Sequence, residues 1–198
     1  MVFIDNLVLE LFALFFSAVL LLYIIITSYF RFSKAKKEFE GVKEGMIPIF
    51  ILGIFMFVNA LAEELKWTLP GSYNILFYDP FMMFGILLIS LSITIFFGKK
   101  INYIGFLAML FGIIVILYGI YGYNLGMTKS PQMLLGLYSL FGLAGIFAYP
   151  ATLVYDFHSQ SRFYLFAFAL FILFLALAGL AALTLGIVSL PAHLASAP

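Results

Sequence analysis

After Arg162 the chain runs to its last residue, Pro198, without a single Asp, Glu, Lys or Arg, and five shorter uncharged stretches come before it. These are Leu11 to Phe30, Gly45 to Ala62, Pro80 to Gly98, Ile101 to Thr128 and Ser130 to Tyr155. At about 1.5 Å of rise per residue, each is long enough to cross roughly 30 Å of hydrocarbon as a helix. The pattern predicts an all-α membrane protein, a bundle of six transmembrane helices at roughly 7–30, 46–67, 80–97, 103–123, 131–155 and 163–190.

Local chemistry sets the expected ends. Asp79-Pro80 and Ser130-Pro131 each read as an N-cap followed by proline at the first helical position. Pro48 fits the first turn of the second span, Trp67 suits an interfacial belt at its far end, and Pro191 is expected to stop the last span. The run Ser33 to Glu40 carries charges at three- and four-residue spacing, as a solvated helical extension of the first span ending near Gly41 would.

Composition narrows the reading further. Apolar residues make up 65% of the chain and charged ones 10%, which excludes a water-soluble fold. The loops are too short for a second folded unit, so residues 1–198 form a single transmembrane domain. The absence of cysteine removes disulfides, thiolate catalysis and cysteine-held metals. A net charge of +1 implies no nucleic-acid partner. The N-terminus is acidic, with Asp5 and Glu10, where a cleaved secretory signal would be basic, so the first span is expected to be retained.

Orientation is read from Lys and Arg. Arg31, Lys34, Lys36, Lys37, Lys43, Lys99, Lys100 and Arg162 fall in loops on one side, and only Lys66 and Lys129 on the other. The basic side is expected in the cytoplasm and both termini outside, in a multi-pass protein of the cell membrane.

Small residues suggest how helices touch. Gly105, Ala108, Gly112 and Gly119 share one face of the fourth span, and Ala178, Ala182 and Gly186 repeat at four-residue spacing in the sixth. Such faces let backbones approach closely, inside the bundle or against a partner. Pro150 is expected to kink the fifth span, for packing or for gating.

The one polar constellation lies on the expected outer side. As helix, Asn59, Glu63 and Trp67 fall on one stripe at i, i+4 and i+8. With Glu10, Glu64, Tyr73, Asn74 and Asp79 they outline a polar, acidic vestibule that is a candidate binding site. Ionisable groups this near a bilayer are costly and are functional candidates by default. Blander roles compete: Asp79 as a helix cap, Asp5 as a solvated terminus, Glu64 as a partner of Lys66.

The run Leu69-Pro-Gly-Ser-Tyr-Asn-Ile-Leu-Phe77, followed by Asp79-Pro80, resembles an archaeal family of uncharacterised multi-pass membrane proteins. That resemblance implies a membrane bundle and carries no activity with it. In size, span number and outward termini the chain is also similar, in architecture alone, to the urea and amide channels of acid-resistant bacteria.

No Ser-His-Asp set, paired-histidine metal motif, phosphate loop or mid-span lysine appears. His158 and His193 fall at opposite ends of the bundle and cannot share a haem or metal. No catalytic residue, metal or cofactor is therefore expected. An all-carboxylate cation site from Glu10, Glu63, Glu64 and Asp79 is the residual alternative. The expected role is a non-catalytic accessory or scaffold subunit of a larger membrane complex, with membrane-protein partners or a homo-oligomer in the lipid bilayer. The alternative is a channel for small neutral or weakly cationic solutes.

Overall fold

The structure, a computed structural model, describes residues 6–32, 42–157 and 161–195. Asp5, the Ser33–Glu40 extension and His158 lie outside the described residues. Six helices follow one another: α1 Leu7–Phe32, α2 Met46–Lys66, α3 Tyr73–Phe96, α4 Asn102–Asn124, α5 Pro131–Asp156 and α6 Arg162–Ala195. No strand occurs among the described residues. All six are long and apolar enough to cross a membrane. Helices are what such sequences must form there, because hydrocarbon offers no partner for a backbone N–H or C=O.

The helices form a ring. Each packs on the next in sequence and α6 closes back on α1, with α1–α2 and α3–α4 the looser pairs. Glycine faces set the tight ones. A Cβ on Gly112 would run into the Gly142 carbonyl oxygen and come within 2.9 Å of the Ile146 nitrogen, so α4 and α5 touch backbone to backbone. On α3, a Cβ at Gly85 would meet the Phe57 nitrogen at 2.7 Å, joining α3 to α2. Gly179 and Gly186 lie against Ala18 and Phe12 of α1. Both expected small-residue seams therefore face inward, on α5 and on α1. The outer surface is apolar, with Tyr23, Leu65, Tyr103 and Val188 strongly exposed, as a lipid-facing surface is.

The chain turns where the backbone can go left-handed. Gly98 and Gly126 have φ of 62° and 60°. After α3, Gly98 N–H donates to the Ile95 carbonyl and Lys99 N–H to that of Thr94. After α4, the same pair of bonds runs from Gly126 to Tyr123 and from Met127 to Gly122. Each loop thus satisfies the last carbonyls of its helix in the Schellman manner.

Two expected boundaries move. Asp79-Pro80 is not a helix start: α3 begins seven residues before Pro80, at Tyr73, and Pro80 lies inside it. A proline there has no N–H for the Leu76 carbonyl. The Tyr138 hydroxyl of α5 supplies the missing donor at 2.6 Å, and the helix continues. Pro191 likewise fails to stop α6, which runs on to Ala195. Close to a helix end, proline deprives only the Ile187 carbonyl of its donor.

Candidate functional site

Where α1 begins, α2 ends and the 67–72 loop passes, polar side chains knot together. Asn59 donates from Nδ2 to Glu10 Oε1 at 3.1 Å. Its own Oδ1 accepts from Asn6 Nδ2 at 3.4 Å. Asn6 Nδ2 also donates to Glu63 Oε1 at 3.1 Å, and the Thr68 hydroxyl donates to Glu63 Oε2. Both carboxylates are buried, Glu10 at 5% and Glu63 at 4% exposure. Buried carboxylates persist only when donors surround them, and here three side-chain amides and hydroxyls do so.

Asn74, wholly buried, locks the loop to this knot. Its Nδ2 donates to the Glu63 carbonyl at 3.2 Å, and its Oδ1 accepts from Leu69 N–H at 3.1 Å. The same Glu63 carbonyl accepts Trp67 N–H at 2.9 Å. Asn74 thus finishes α2 and fixes the loop.

Of the residues expected to share a vestibule, Glu10, Asn59 and Glu63 come together. Asn6 and Thr68 join them, although neither stood out in the sequence; Asn6 stands four residues before Glu10, the spacing that puts it on the same helical stripe. Trp67 leaves the stripe, because it adopts φ 51° at the C-cap of α2 and points out, 47% exposed. Asp79 is no cap: it accepts a 2.5 Å hydrogen bond from the Tyr118 hydroxyl of α4. Glu64 lies within electrostatic reach of Asp79 and within hydrogen-bonding reach of the Asn74 side chain. The acids thus divide between two places, and no group of three or more His, Asp or Glu suited to a metal exists among the described residues.

The larger feature is a cavity of about 830 Å³ between the helices. Along α1 its walls run from Leu7 to Ser28, along α5 from Ser130 to Tyr155, and along α6 from Phe171 to His193. α3 and α4 close the ring with Phe77, Phe84, Leu91, Phe111 and Val115, and α2 adds Met46. Between its ends the wall is almost wholly aliphatic and aromatic. Polar groups gather at the mouth beside the 125–130 loop: Glu10, Tyr73, Thr128, Lys129, Ser130, Ser189 and His193. Tyr73 stacks on Phe77 there, with ring centroids 6.4 Å apart. At the opposite end, Thr152 and Tyr155 hydroxyls are spent on the Tyr149 and Ile25 carbonyls.

Sequence reasoning found the polar knot and not the cavity. Leu, Ile and Phe face lipid and cavity alike, so no change of hydropathy marks the inner wall.

A model of the family described as "Protein of unknown function (DUF981)" matches residues 1–196 of the chain. No curated protein and no solved structure matches it.

Proposed function

We propose that this chain, which belongs to the DUF981 family, is an integral membrane protein that takes a molecule bearing a long hydrocarbon chain into the space between its helices. The carrying observation is the cavity wall. At 830 Å³ it falls within the roughly 300–1,000 Å³ usual for ligand sites. From Leu7 to Ser28 it extends about 30 Å along α1, which gives a mean cross-section of about 28 Å², narrow and long. Apolar walls of this kind accept apolar guests. At about 30 Å³ per methylene-sized group, it holds on the order of two dozen carbons.

Two other readings have less behind them. A pore for polar solutes would have to strip their water against Phe, Leu and Val walls, at several kcal/mol per unmet hydrogen bond. An accessory subunit needs a docking face, and the glycine and alanine seams are used within the chain, between α4 and α5 and between α6 and α1. The excess of Lys and Arg in the α1–α2, α3–α4 and α5–α6 loops supports a cytoplasmic location for that end, so that Glu10, Lys129 and His193 face outward.

Filling the cavity tests this. Ala144, 3% exposed, lines it from α5. In nanodiscs of neutral lipid, an environment-sensitive fluorescent fatty acid should bind the wild-type protein saturably. Ala144→Phe should weaken that binding at least about tenfold while secondary structure persists. Equal binding by both proteins would place the probe on the outer surface and end the proposal.

A further inference from the structure

A hydrocarbon chain gains little by leaving lipid for Leu and Phe walls, since lipid tails are as apolar as those side chains. Selectivity must therefore come from the polar mouth, and the inference that follows rests on the cavity reading above. The mouth beside the 125–130 loop offers three consecutive side chains with no hydrogen-bonding commitment. Thr128 Oγ1 is buried and has no hydrogen-bond partner. Lys129 is exposed and lines the cavity. Ser130, exposed, stands at the N-cap of α5 without making a side-chain cap bond and lines the cavity. Behind them starts a 26-residue helix whose N-terminal dipole end favours negative charge.

Glu10 lines the same mouth, and its Oε1 accepts from Asn59 of α2. Among the described residues, no Lys or Arg lines the far end, where the Ser28 hydroxyl, 4% exposed, is unpartnered beside the committed hydroxyls of Thr152 and Tyr155. Among the described residues that line this long apolar slot, Lys129 is the one Lys or Arg, and it stands beside the Thr128 and Ser130 hydroxyls.

We propose that the cavity selects a single-chain amphiphile with an anionic oxyacid head, carboxylate or phosphate, seated on Thr128, Lys129 and Ser130 with its chain along the helices toward Ser28. Charge-assisted hydrogen bonds hold the head, and the apolar wall excludes anions that lack a chain.

The test uses the full chain in neutral-lipid nanodiscs and five probes: a long-chain fatty acid, the alkyl phosphate and the alcohol of equal chain length, and acetate and inorganic phosphate as chainless controls. Both anionic amphiphiles should bind about tenfold more tightly than the alcohol, and the chainless anions should not compete. Lys129→Gln should bring acid and alcohol near parity, and Lys129→Arg should restore the preference. Removing the opposing charge with Glu10→Gln should tighten the acid and leave the alcohol unchanged. An alcohol that binds as well as the acid to the wild type, or a preference that survives Lys129→Gln, would overturn the anionic-head assignment while leaving the cavity reading intact. If no chained probe binds, or the chainless anions compete as well as the chained ones, the cavity reading itself falls and the assignment with it.

Discussion

Pro80 shows how one residue's partner can lie beyond the reach of local pattern. Asp79-Pro80 has the form of a helix start, yet it sits inside α3 because a hydroxyl 62 positions away satisfies the Leu76 carbonyl. Tyr138→Phe should leave that buried acceptor unmet and cost about 1–3 kcal/mol. Pro80→Ala returns an N–H to the same carbonyl, so Tyr138→Phe should cost much less in that background. Denaturant unfolding in detergent of the four proteins in the cycle measures the difference, and an equal cost in both backgrounds would refute the donor-replacement account. The polar knot was more legible. Asn59 and Glu63 one turn apart gave its stripe, whereas Thr68 joins only because the chain reverses after Trp67. Asn59 serves both carboxylates' network as donor and acceptor. Asn59→Leu should therefore destabilise by about 1–3 kcal/mol, and more than Glu10→Gln, which keeps an acceptor for Asn59. Thermal unfolding of the two variants gives the order.

Among elements, the glycine faces carry the argument. Their spacing was visible in the sequence, but a seam looks the same whether it meets a neighbouring helix or another protein. What decides is the opposing surface: Gly142 and Gly145 on α5 stand where Gly112 of α4 needs space. Gly112→Leu should cost about 1–3 kcal/mol by overpacking. Gly136, exposed on α5 with nothing within 4 Å of where a Cβ would stand, is the matched control, and Gly136→Leu should unfold like the wild type. A harmless Gly112→Leu would mean that α4 and α5 do not meet on this face. The same comparison explains why helix ends were less legible than helix middles. Gly98 and Gly126 end their helices by left-handed turns that depend on one residue each, while Pro80 and Pro191, the usual breakers, do not break theirs.

At the scale of the molecule, six spans follow from where charge is missing, and a ring around a cavity does not. The inner and outer walls have the same composition, so only the packing order distinguishes them. Because the chain has no cysteine, its sidedness can be read from single substitutions. Ser72→Cys and Gln132→Cys, both exposed at the end bearing Glu10, should react with an impermeant thiol reagent from outside. Lys99→Cys and Ser161→Cys, exposed at the opposite end, should react only after the membrane is opened; the reverse pattern would invert the proposed orientation. The occupied interior is tested most directly by a fatty acid carrying a photoreactive diazirine near its terminal carbon, cross-linked to the protein in neutral nanodiscs and mapped by peptide mass spectrometry. Cross-links should fall on inward residues such as Leu21, Leu88 and Ala148, which line the cavity. Cross-links confined to the exposed, outward-facing Tyr23, Ile93 and Leu177 would show the chain lying in the bilayer and contradict a ligand within the ring.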